Sequence, residues 1–154
     1  MTLNTYAKVI VSALPLVAFV SFSSLAADQP PDIKGKWVGK THTIVAGRGG
    51  HWPRNKGTFD KPALSEKDLV IEVTGQEGRR FWGIQSFSGN GETTKEPMIG
   101  ELTGKDNSTV VIVDTDCYLN GQLVDENLLS FCYMQAGGKA SSSVVSCTEV
   151  RRTR

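Results

Sequence analysis

Charge of one sign is missing from this 154-residue sequence: 17 basic side chains meet 16 acidic ones, leaving a net charge of +1. Such a chain has no long-range field with which to capture nucleic acid or anionic lipid, and no nucleic-acid partner is expected. Histidine is scarce, with only His42 and His51, and no serine or cysteine stands in a recognisable nucleophile context. With so few ready bases near neutral pH, no catalytic constellation emerges, and neither an enzyme nor a cofactor is expected. Apolar residues at helical spacing are absent from Ile33 onward, which excludes a helix bundle. What remains is 39% hydrophobic and 21% charged, the composition of a folded globule of one domain.

The longest apolar run, Val9 to Phe22, follows a single charge at Lys8 and leads into the small residues Ser24 and Ala26. It is shorter than the roughly 20 residues that span a bilayer. Residues 1–27 therefore read as a secretory signal peptide and residues 28–154 as the domain, with no membrane span in the mature protein. The expected location is outside the cytoplasm, periplasmic or extracellular. Removing residues 1–27 would leave 16 basic and 16 acidic side chains in 127 residues.

Short stretches rich in β-branched residues, ending in Gly, Asn or Asp, predict strands over 35–46, 68–74, 79–87, 97–103, 109–115, 118–124, 128–135 and 143–151. The turns between them are short, so sequence neighbours should be sheet neighbours. The exception is the connection from Gly47 to Lys67, whose length suggests a functional loop. In Trp37-Val-Gly39, Phe81-Trp-Gly83, Met98-Ile-Gly100 and Leu119-Asn-Gly121 a bulky residue stands two positions before a glycine, on the same face of its strand. Glycines so placed give room to bulky neighbours inside a closed sheet. The fold expected is all-β, an antiparallel up-and-down meander of about eight strands closed into a small barrel, with a β-sandwich as the alternative.

All three cysteines lie beyond residue 27, and an oxidising compartment favours a disulfide over a metal site. If 128–135 and 143–151 form the final hairpin, Cys132 and Cys147 lie opposite each other about the Gly137–Ser142 turn, and Cys117 is left over. A turn at Asp125-Glu126 would set Cys132 against Leu119, out of register with Cys117. Asp114-x-Asp116 lacks calcium-loop spacing because position 118 is Tyr, and no metal is expected.

Gly35-Lys36-Trp37 on the first strand, with Arg151 and Arg152 on the last, resembles the calycins, the superfamily of lipocalins and avidins. The resemblance implies a barrel in which a last-strand arginine packs across the tryptophan. The later strands lack the tryptophans that line an avidin pocket, so biotin is not the implied ligand.

Strand parity turns Trp37, Gly39, Thr41, Thr43 and Val45 inward and His42 outward. The long loop combines Arg48, His51, Trp52, Arg54 and Lys56 with several glycines, a set able to clasp an anion and stack on a ring. Arg48, His51, Trp52, Thr41 and Thr43 are accordingly the expected contacts for a small, anionic or aromatic, molecule at one barrel mouth. The alternative is an envelope protein-interaction or inhibitor module that uses the 47–67 loop; oligomeric state is not legible.

Overall fold

A computed structural model describes residues 29–48, 52, 54–89, 91–137 and 142–153. The segment read as a signal peptide, and His51, lie outside the described residues. Among the latter are eight strands and no helix: β1 (Gly35–Ala46), β2 (Ala63–Glu77), β3 (Arg80–Gly89), β4 (Glu92–Thr103), β5 (Thr109–Val113), β6 (Tyr118–Asp125), β7 (Leu128–Gln135) and β8 (Ser143–Thr153). Each pairs antiparallel with the next, and β8 returns to β1, closing the barrel. The meander is thus a barrel and not a sandwich.

Three expectations are corrected. β4 begins at Glu92, not at 97. β2 begins at Ala63, not at 68, so the long connection ends at Pro62 and Lys67 belongs to the wall. The alternation Ser65, Lys67, Leu69, Ile71, Val73 carries the inward face of that strand, and its polar start disguised it as loop. Cys132 faces Asn120 and not Leu119, because the β6–β7 turn falls at Glu126–Asn127, which alone would set Cys132 against Gly121, and a bulge between Leu123 and Asp125 draws the register back by one.

The strands are staggered. A path of directly opposed residues that leaves β2 at Gly75 and runs through Trp82, Ile99, Val113 and Val145 returns to β2 at Leu64, eleven residues along. A stagger of this size tilts the strands steeply to the barrel axis, which coils the wall and sets its diameter. No helix among the described residues is long and apolar enough to cross a membrane. The outer wall carries the ion pairs Lys40–Asp68 and Arg80–Glu77 beside exposed apolar side chains such as Trp82 and Ile99, and the inner face is largely apolar.

One end of the barrel is closed by apolar packing. Trp37, Ile33, Ile71, Phe81, Leu102, Ile112, Leu129 and Val150 are all but inaccessible to solvent. The segment before β1 folds across this end: Ile33 N–H donates to Gln76 Oε1 at 2.9 Å, and Trp37 Nε1 donates to the Ile33 carbonyl at 3.0 Å. The Arg152 guanidinium lies 4.5 Å from the Trp37 ring centre, a cation–π contact that covers the indole from outside.

The inward glycines make this packing possible. A Cβ on Gly121 would sit 2.1 Å from the Ser130 carbonyl oxygen and 2.3 Å from the Phe131 Cβ, and one on Gly39 would sit 2.2 Å from the Glu149 carbonyl oxygen. Gly121→Ala is therefore expected to cost about 2–3 kcal/mol through overpacking, lowering Tm by roughly 5–10 °C, while Thr74→Ala on the exposed wall leaves it within about 2 °C. Calorimetry of both variants checks this, and an unchanged Tm for Gly121→Ala would contradict the packing.

Candidate functional site

The opposite end of the barrel is polar inside. At the C-terminal half of β1, Thr43 Oγ1 lies 2.7 Å from Ser146 Oγ on β8 and donates to Thr41 Oγ1 at 3.4 Å. Thr41 Oγ1 also accepts the Lys67 N–H at 3.0 Å and donates to the Lys67 carbonyl at 3.3 Å. The two threonines are inward and buried, as strand parity requires, but their hydroxyls already serve as a ladder between β8, β1 and β2.

Trp52 covers this end. It is partly buried and packs against the core together with Phe87, with its ring 6.2 Å from Tyr133 in an edge-on arrangement. Beneath it lies Lys67, whose ammonium is 4.7 Å from the indole centre. Burial pulls the Lys67 pKa down, and the nearby carboxylates of Glu92 and Glu96 pull it partly back. Arg48 is turned elsewhere: it is exposed, and its Nε donates to the Asn55 carbonyl at 3.1 Å, bracing its own loop. Asn55 ties the loop to the barrel rim through the Val45 and Gly47 carbonyls at 3.4 and 2.6 Å, and Arg54 reaches Glu92 at 3.5 Å.

Of the expected contacts, Trp52, Thr41 and Thr43 therefore come together at the mouth, Arg48 does not join them, and His51 is outside the described residues. Lys67 escaped the sequence reading because its segment read as loop. Asp114 was read only with Asp116, and its pairing with Gln85 escaped because nothing in a lone sequence pairs β3 with the end of β5.

Gln85 and Asp114 anchor a second polar group on the far wall. Asp114 Oδ1 accepts the N–H groups of Asp116 and Cys117 at 3.1 and 2.8 Å, capping the β5–β6 turn. Its Oδ2 accepts the Cys117 thiol at 2.9 Å and the Gln85 amide N–H. Gln135 on β7 bridges to Asp116 Oδ2 at 3.3 Å and to the Tyr133 hydroxyl at 3.5 Å. One ligand atom from each of Asp114, Asp116 and Cys117 falls within 4.8 Å of the others, but both Asp114 oxygens are taken up by the turn, the thiol and Gln85. Burial first, and then the Asp114 carboxylate, push the Cys117 thiol well above its ordinary range, and burial does the same to Tyr133.

Three buried atoms in this half of the barrel have no hydrogen-bond partner: Gln85 Oε1, Thr94 Oγ1 and Ser142 Oγ. Gln85 and Ser142 are completely buried. No protein-family model, no curated protein and no solved structure matches this chain.

The raised pKa values of Cys117 and Tyr133 set a pH dependence. Below about pH 8.5 the thiol is protonated in folded and unfolded chains alike, and its contribution to stability is complete. Above that the unfolded chain loses protons that folded Cys117, and later Tyr133, retains, so stability falls as pH rises. Lys67, lowered in the fold, works in the opposite direction. Denaturant midpoints measured from pH 7.5 to 10.5 should decline, with a limiting slope of about 1.4 kcal/mol per pH unit per group, and less steeply in Cys117→Ala. Equal slopes for the two proteins would contradict the burial of the thiol.

Proposed function

We propose that the domain is a binding protein, exported to an oxidising compartment, that holds a small molecule in the polar end of its barrel beneath Trp52. The observation that carries this reading is the set of buried oxygens left without partners, Gln85 Oε1, Thr94 Oγ1 and Ser142 Oγ, at the one end where the interior is polar. Buried polar atoms are ordinarily satisfied; Asn107 Oδ1 and Arg152 Nε toward the Trp37 end are also without partners, but three orphaned oxygens in the half beneath one aromatic cover suit a ligand or the water it displaces. Trp52, Phe87 and Tyr133 offer ring faces and edges to a flat group. The Lys67 ammonium stands near the carboxylates of Glu92 and Glu96, which supports a neutral or zwitterionic ligand over a purely anionic one. The Cys132–Cys147 disulfide supports export, and the Trp37–Arg152 stack supports the calycin-like layout.

The exposed side chains of Phe59 and Leu64, each 82% accessible, favour the second reading, a protein partner gripped by the 47–62 loop and the adjoining start of β2. Native mass spectrometry of protein isolated from its own compartment separates the two. A small-molecule adduct is expected, with occupancy falling at least tenfold in Trp52→Ala and in Gln85→Leu, a change that keeps volume but removes the orphaned oxygen together with the amide N–H given to Asp114. A mass increment of protein size would favour the second reading. No adduct, together with Gln85→Leu folding more stably than the wild type, would overturn the first.

A further inference from the structure

One cross-strand row on the outer wall joins residues from four neighbouring strands. Glu66 on β2 is opposite His42 on β1, His42 is opposite Cys147 on β8, and Cys147 is opposite and disulfide-bonded to Cys132 on β7. All four have outward parity, because Thr41, Thr43, Ser146, Phe131 and Tyr133, their chain neighbours, are buried inside. Directly opposed residues of an antiparallel pair hold their Cβ atoms about 5 Å apart, so carboxylate, imidazole and disulfide stand side by side. Glu66 Oε1 lies 3.2 Å from His42 Nδ1. A carboxylate on Nδ1–H leaves Nε2 as the nitrogen with the free lone pair.

Cys147 is exposed, and with His42 it lines a groove of about 490 Å³ whose other walls include the apolar Ile44, Leu64 and Val145. The β7–β8 ladder continues on both sides of the disulfide, from Leu128–Arg151 to Gln135–Val144, so cleavage leaves the barrel closed. A bond whose cleavage leaves the fold standing, set beside an acid–base pair and a groove, has the parts of a reaction site.

We propose that this row is a thiol–disulfide exchange site for a cysteine thiol carried on an apolar peptide segment. The segment lies along Ile44, Leu64 and Val145, and His42 Nε2 takes the proton of its thiol. The thiolate attacks Cys147 Sγ from the His42 side, in line with the S–S bond and opposite Cys132. A peptide–Cys147 disulfide forms, the Cys132–Cys147 bond breaks, and the electron pair leaves on Cys132 Sγ, which is protonated by the imidazolium through solvent. A second thiol of the same peptide then attacks the mixed disulfide: the peptide is oxidised to its disulfide, and Cys132 and Cys147 end as thiols. Glu66 is a positioning residue that holds the tautomer and orientation of His42. This reading is independent of the ligand at the barrel mouth.

The test uses the folded protein with a tripeptide probe of acetylated cysteine, leucine and valine amide, and glutathione as comparator, quenched with a maleimide and mapped by mass spectrometry. The probe should be found on Cys147 and the maleimide on Cys132, with the tripeptide reacting at least tenfold faster than glutathione. His42→Gln, an exposed change that should leave Tm unaltered, should slow the limiting rate about tenfold. Glu66→Gln should lower the limiting rate about threefold without changing the half-saturating tripeptide concentration, whereas Leu64→Ser should raise that concentration and spare the limiting rate. The probe on Cys132, a rate indifferent to His42→Gln, or exchange no faster than global unfolding would overturn the site. Equal rates for tripeptide and glutathione would overturn the peptide as its substrate.

Discussion

The return of β8 to β1 is the constraint on which the rest of this molecule depends. Closing a tilted, staggered sheet of eight strands leaves an interior too narrow for a large side chain at every inward position. Glycines at 39, 83, 100 and 121 relieve the crowding: a Cβ at each would press within 2.3 Å of a neighbouring strand's backbone or of the Phe81 ring. Closure also brings residues more than a hundred positions apart into contact. Arg152 packs on Trp37, Ser146 bonds Thr43, and Cys147 stands beside His42, all across the same β1–β8 seam.

The two ends of the barrel divide the work. Around Trp37 the interior is apolar and tightly packed, with the Trp37 and Ile33 N–H groups satisfied locally. Burial there supplies most of the driving force for folding, since each large apolar side chain removed from water contributes about 1.5–3 kcal/mol. At the other end hydroxyls, amides, a thiol and charged groups face inward. That end is held by hydrogen bonds more than by packing, and some of its acceptors are left over. Polar groups inside a barrel weaken the core they interrupt, and their concentration at one end, beneath an aromatic cover, is what the proposed binding role rests on.

The inner and outer faces of β1 show how one strand serves two chemistries. Thr41 and Thr43 belong to the mouth, while His42 between them belongs to the outer wall and the disulfide row. A one-residue slip in the β1–β8 register would exchange the two sets, which is why the fit of Trp37 at the closed end matters to residues far up the strand.

Strand alternation, the bulky residue two places before each glycine, and the hairpin that opposes Cys132 and Cys147 were legible without coordinates, because each is a local pattern of period two or a symmetry about a short turn. The inward turn of Thr41 and Thr43 followed from the same parity. Other features rest on pairings that no local pattern encodes: Lys67 under Trp52, Gln85 on Asp114, and Glu66 and His42 beside Cys147. Lys67 was hidden because β2 begins with alternating polar residues that resemble a loop, and the Nε of Arg48, expected at the mouth, donates to the Asn55 carbonyl of its own loop. The sequence by itself determined which face of each strand a residue occupies. Only the tertiary structure decided which residues meet across strands, because the stagger that closes the barrel is a property of all eight strands together.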